Sequence, residues 1–235
     1  MTTLRIDIWS DIACPWCYIG KRHLENALAS FPHAEHVEIV WRAFELDPSA
    51  PKVAPATRQP MAERLAAKYH IDATTAQAQL ERVAGVGAND GLELRFDRMQ
   101  PGNTFDAHRL LAFAHVHGKQ DALKERLFRA YMTDGDAIYD RDVLLACAKG
   151  VGLDEAAANA ALAGAAYTDE VRADERLARE LGISGVPFFV FGGRLAVSGA
   201  QPADVLRGAL DQAWSDAGEK QEFADGAVCG PDGCD

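Results

Sequence analysis

The sequence predicts an α/β protein in which a small sheet with helices on its faces is interrupted by one large all-helical insertion. Three observations carry this: a β, α, β pattern at the start, about a hundred residues at helical spacing in the middle, and an α, β-hairpin, α pattern after them. In order, Leu4 to Trp9 alternates as a strand, and Cys14 to about Ser30 is a helix with an apolar stripe of Tyr18, Ile19, Leu24, Ala27 and Leu28. Val37 to Leu46 is a second strand, and the proline-rich stretch to Pro60 is a linker, so residues 1–60 form the first half of the sheet domain.

Residues 61–164 form the insertion. Helical spacing recurs in Met61 to His70, Thr75 to Ala84, Thr104 to His117, Asp121 to Met132, Arg141 to Lys149 and Asp154 to Leu162. Leu92 to Phe96 is the one strand-like exception, and the glycines from Gly85 to Gly91, at Gly118, at Gly135 and from Gly150 to Gly152 read as helix stops. Residues 165–215 complete the sheet domain: a helix from Asp169 to Leu181, a hairpin turning at Gly192-Gly193, and a last helix from Pro202 to about Ser215. Residues 216–235 read as an acidic tail.

Lys plus Arg number 24 against 35 Asp plus Glu, a net charge of −11, which argues against a nucleic-acid partner. The most apolar runs, Leu110 to Ala114 and Val186 to Phe191, fall far short of the roughly 20 residues that span a bilayer, so no membrane partner is expected. Asp7 and Asp11 stand where a signal peptide would have its apolar region, and a cytoplasmic location is the expectation.

The five cysteines are too few for a disulfide scaffold and fall into Cys14 and Cys17, Cys229 and Cys234, and a solitary Cys147. Cys14-Pro15-Trp16-Cys17 follows a strand and opens a helix, where unpaired N–H groups and the helix dipole favour a thiolate; Cys14 is therefore expected to be the nucleophile. Pro15 suits the first turn, and Cys17, one turn on, can resolve a mixed disulfide. The same spacing serves half of a zinc site or two inert buried thiols; the strand before and the helix after favour redox chemistry.

Three segments carry a resemblance: Trp9-Ser10-Asp11-Ile12-Ala13-Cys14-Pro15-Trp16-Cys17-Tyr18-Ile19-Gly20, Asn103-Thr104-Phe105-Asp106-Ala107-His108-Arg109-Leu110, and Gly185-Val186-Pro187-Phe188-Phe189-Val190. They resemble the DsbA-like branch of the thioredoxin superfamily, specifically the FrnE-like cytoplasmic group related to 2-hydroxychromene-2-carboxylate isomerases. The resemblance implies a thioredoxin fold with a helical domain inserted between its halves, and an oxidoreductase or isomerase acting on protein thiols and disulfides. It also implies a cis Val186–Pro187 bond beside Cys14, with the Val186 backbone free to pair with an extended substrate. No dissociable organic cofactor is expected; reducing equivalents would come from glutathione or a thioredoxin-type donor.

Two departures qualify the resemblance. DsbA carries His where Trp16 stands, so Cys14 should be less acidic here and the protein less oxidising. Thioredoxin-like proteins tend to have a buried acid where this chain has Ile8, which leaves the proton acceptor for Cys17 open, with Asp7 and Asp11 the nearest substitutes.

Cys229 and Cys234 enclose four turn-forming residues, and their expected use is exchange with Cys14 and Cys17 as a relay. Cys147 reads as a small core residue, and Asn103 and His108 are candidates to line a substrate cleft by resemblance. No metal site is expected. The alternatives are a glutathione-dependent isomerase or transferase acting on a small aromatic substrate, whose relatives have a lone Ser in place of Cys14, and a chaperone-like holdase.

Overall fold

β1 (Leu4–Ser10) is the strand on which the sheet is assembled, and the period-2 alternation of its side chains fixes what lies on each face. In this computed structural model, which describes residues 3–53, 59–224, 229–230 and 233–234 and side chains as far as Gly218, β1 pairs in parallel with β2 (Val37–Ala43) and antiparallel with β3 (Phe188–Phe191). β4 (Leu195–Ser198) completes the order β2-β1-β3-β4, with Ile8 opposite both Trp41 and Phe189. The β3–β4 turn is closed by the Arg194 N–H on the Phe191 carbonyl; Gly192 and Gly193 both have positive φ, which a side chain would resist.

Leu4, Ile6 and Ile8 point with Phe189 and Phe191 toward Leu24 and Ala27 of α1 (Pro15–Ala29) and Leu206 and Leu210 of α9 (Ala203–Ala224). Each fully buried large side chain there contributes about 1.5–3 kcal/mol. Trp9 points to the other face, against Ala178 and Ile183, where α8 (Thr168–Glu180) covers the sheet and its Asp174 carbonyl accepts the indole N–H at 3.0 Å.

The helices of the insertion are α2 (Met61–Tyr69), α3 (Ala73–Asn89), α4 (Phe105–Val116), α5 (Gln120–Arg129), α6 (Arg141–Gly150) and α7 (Glu155–Ala163). Asp72, Asp140 and Asp154 cap α3, α6 and α7 by accepting backbone N–H bonds, the role that favours Asp at helix starts. The insertion and α8 together cover one edge of the sheet. β2 is an edge strand, and the Gln120 amide of α5 bonds both the N–H and the carbonyl of Trp41, while Asp174 of α8 accepts the Ala43 N–H at 3.0 Å. An edge satisfied in this way offers little to a stray strand.

Several boundaries differ from the sequence reading, among them the end of β2 at Ala43 rather than Leu46. α3 runs through Gly85 and Gly87 to Asn89; a Cβ at Gly87 would lie 2.8 Å from Leu94 Cδ1, so the glycine serves a close approach rather than a stop. Leu92 to Phe96 forms no strand; Leu92 and Leu94 are buried in irregular chain held by the Arg95 N–H on the Met132 carbonyl at 2.7 Å. α9 continues to Ala224, taking up the first nine residues expected in the tail. Cys229 and Cys234 stand opposite each other in the short pair β5 (Cys229–Gly230) and β6 (Gly233–Cys234); their sulfurs, and hence the expected relay, lie outside the described residues. No helix among the described residues is long and apolar enough to cross a membrane.

Candidate active site

α1 starts just after Cys14, with Pro15 in its first turn, where no N–H is lost. The Cys14 N–H donates to the Asp11 carbonyl at 3.2 Å and the Cys17 N–H to the Cys14 carbonyl at 3.0 Å, which fixes both cysteines on the strand-to-helix turn. Both are free thiols; Cys14 is 5% exposed and Cys17 1%. Trp16, 37% exposed, forms the rim beside them.

The Val186–Pro187 bond is cis, and the Cys14 thiol donates to the Val186 carbonyl at 3.5 Å. The Val186 N–H has no partner among the described residues. Gly20 brings α1 against this loop: a Cβ there would lie 3.0 Å from Pro187 Cγ and 3.3 Å from Phe189 Cζ. Cys14, Pro15, Trp16, Cys17, Val186 and Pro187 thus converge on one site.

The electrostatics of the pair differ from the helix-start expectation. Cys14 is pushed well above the usual thiol range, first by the neighbouring Cys17 side chain and then by burial. Its sulfur makes no capping bond to the helix; it turns toward Val186 as a donor, so the dipole gains no thiolate there. Burial also pushes Cys17 up, but the neighbouring Cys14 and Ser10 side chains and the charge of Lys124 outweigh it and hold the thiol below its ordinary value. In the reduced pair the inner sulfur is therefore the better seat for negative charge.

Asp11 is buried behind the cysteines, its oxygens accepting the Ala13 N–H at 3.3 Å and the Leu46 N–H at 2.8 Å. Burial raises its carboxyl, yet His108 and these amides together hold it below the usual range. Asp7, the other acid near the strand, is instead paired with Arg5 at 2.8 Å and Arg42 at 2.7 Å. Ile8 is a core residue.

His108 lies on α4 with its Nε2 3.5 Å from Asp11 Oδ1 and lines a cleft of about 300 Å³ behind the edge of β2, with His115, Tyr167 and Asp174. Asn103 is 5% exposed: its amide donates to Glu45 and the Pro48 carbonyl, and its oxygen accepts the Phe105 N–H. Cys147 is buried in the insertion, where burial raises its thiol. A larger cleft of about 540 Å³, lined by Met61, Leu80, Leu94, Phe96 and Met99, includes neither cysteine.

Sequence reasoning missed Lys124. Its α5 buries Gln120, Leu123, Lys124, Leu127 and Phe128, an i, i+3, i+4, i+7, i+8 stripe, so a lysine standing on an apolar stripe was the signal.

The description of the DSBA-like thioredoxin domain family fits residues 5–211, covering the strand-turn-helix, the insertion and the Val186–Pro187 hairpin. The chain belongs to that family. It is similar to a probable DsbA oxidoreductase from Streptomyces coelicolor, with 44% identity and a TM-score of 0.83 over 99% of this chain and 98% of that one. The uncharacterized protein YwbO of Bacillus subtilis (strain 168) is 30% identical over 211 residues, 88% of this chain and 96% of the relative. The cytosolic disulfide reductase DsbM from Pseudomonas aeruginosa shares the fold at 20% identity, with a TM-score of 0.60 over 90% of this chain and 98% of that one. The chain is thus a DsbA-like member of a thiol-disulfide oxidoreductase family, with a thioredoxin fold interrupted by helices.

Proposed function

We propose that this DsbA-like protein exchanges disulfides with protein substrates, with isomerase capacity, using Cys14 as the attacking and Cys17 as the resolving sulfur. The observation that carries the reading is the Cys14 thiol set at a helix start against the Val186 carbonyl, with Cys17 one turn behind it. An extended substrate pairing with the Val186 backbone would present its disulfide to Cys14.

In the reducing direction Cys14 passes its proton to Cys17 as its sulfur bonds to one substrate sulfur, and the other substrate sulfur leaves as a thiolate. Cys17 then loses that proton to solvent and bonds to Cys14, breaking the mixed disulfide; two electrons pass from the dithiol to the substrate. In isomerisation a second substrate thiol releases Cys14 instead. Glutathione or a thioredoxin-type donor restores the dithiol, in a cytoplasmic setting, and Cys229 with Cys234 exchanges with the pair as a relay. The two active-site thiols favour this over chemistry on a small aromatic substrate.

Replacing Cys17 with Ala tests the reading. Incubated with a disulfide-containing protein, the variant accumulates a mixed disulfide at Cys14, while Cys14→Ala lowers turnover about 10³-fold or more. Failure of Cys17→Ala to trap substrate, with Cys14→Ala still active, overturns it.

A further inference from the structure

Two lysines are buried where α5 meets α1, and they are treated differently. Lys21, whose side chain is 3% exposed, is surrounded by Glu25, by Asp121 at 3.3 Å and by Glu125 at 3.2 Å, so its charge is answered. Lys124 is 0% exposed and its Nζ has no hydrogen-bond partner among the described residues. The Phe128 ring lies at 4.9 Å, itself stacked on Tyr18 next to Cys17, and the Trp41 ring lies at 5.3 Å.

The groups that act on the ammonium come from several elements. Cys17 of α1 acts most strongly, followed by Asp11 of the turn after β1, Cys14 at the helix cap, and Asp121 on α5 itself. Asp11 in turn faces His108 of α4 and Tyr131 of the turn after α5. An unpaired buried cation is costly, and an apolar residue of like shape would pack there more cheaply, so packing does not account for a lysine.

We infer that Lys124 is a positioning residue of the redox centre, through which the inserted helical domain supplies the positive charge that favours the Cys17 thiolate and so speeds release of the mixed disulfide. The inference rests on the oxidoreductase reading of Cys14 and Cys17. In the step concerned the Cys17 S–H proton goes to solvent, the Cys17 thiolate bonds to the Cys14 sulfur, and the Cys14–substrate bond breaks with the electron pair leaving on the substrate sulfur. Once the disulfide has formed, no thiolate faces Lys124, and Asp11 and Asp121 remain as its counter-charges. Oxidation therefore weakens its hold on its own proton. Burial has already pushed the Lys124 ammonium down to about 8 in the reduced protein, close enough to neutrality for the change to be read.

Two measurements on the full chain test this. In the first, Cys14 is loaded with glutathione and release by Cys17 is timed across pH. Lys124→Met should slow release about tenfold near pH 7 and move the pH profile up by roughly one unit, and Lys124→Arg should restore much of the rate. In the second, which needs no functional variant, lysines labelled with ¹³C at Cε are titrated in the reduced and oxidised protein. The Lys124 signal should titrate below the other lysines, and its midpoint should fall by roughly one unit on oxidation. An unchanged profile in a folded Lys124→Met overturns the inference, as does a Lys124 signal that titrates with the other lysines in both states. If wild type forms neither a Cys14 glutathione adduct nor a Cys14–Cys17 disulfide, the oxidoreductase reading has failed instead.

Discussion

His108 Nε2 on α4 lies 3.5 Å from Asp11 Oδ1 on the turn after β1, and both side chains are 2% exposed. The contact joins the insertion to the turn that carries the cysteines. With Lys124 on α5, it means that two of the charged or polar groups nearest the redox pair come from the inserted helices rather than from the sheet domain.

Asp11→Ala should be strongly destabilising at neutral pH. It leaves the Leu46 and Ala13 amides without their acceptor and removes the carboxylate beside buried His108, a loss of about 3–5 kcal/mol. The folded protein holds this carboxyl below its unfolded value of 3.8, so its contribution is present above that pH and is lost as pH falls through the folded value. Urea unfolding at pH 7 and pH 3 should show the deficit of the variant shrinking in acid; an equal deficit at both would contradict the ionic role.

Lys124→Met should stabilise the fold while impairing its chemistry. The ammonium titrates at about 8 in the fold against 10.5 when unfolded, a cost of about 3 kcal/mol. For a depressed lysine this cost is borne in full below about pH 8 and fades as pH rises toward 10.5. The variant should therefore melt about 6–12 °C higher at pH 7, with the gain vanishing in strong alkali. A lower melting temperature at pH 7 would show that Lys124 is a net structural asset.

Gly20→Val should disturb the active-site loop through packing alone. Even a Cβ would press on Pro187 Cγ at 3.0 Å, and the two methyls add to it. The expected cost is about 1–3 kcal/mol, with reduced turnover of a disulfide substrate as Pro187 shifts away from Cys14. Wild-type turnover in this variant would show that the loop position matters little.

The sheet domain was legible because its signals are local. Alternation in Leu4 to Trp9, proline after Cys14, and Gly192-Gly193 between apolar runs each dictate backbone shape within a few residues. The missed features depend on how separate segments pack against one another. Gly85 and Gly87 read as helix stops, yet Leu94 packs at Gly87 and the helix runs on. Leu92 and Leu94 are buried at alternate positions, which mimics a strand although the chain pairs with none there. At the site, Cys14, Cys17 and Pro187 were legible from spacing and resemblance. The direction of charge within the pair was not, since it depends on Lys124 arriving from a helix distant in sequence.

The central claim is that Cys14 and Cys17 form a working redox couple, and the most direct test is to equilibrate the full chain across glutathione buffers, trap free thiols and map every disulfide by mass spectrometry. The account predicts a Cys14–Cys17 disulfide that opens and closes reversibly across those buffers while buried Cys147 stays reduced. If Cys14 and Cys17 remain reduced throughout, or resist trapping until a chelator is added, the pair is not a redox couple and the account is contradicted.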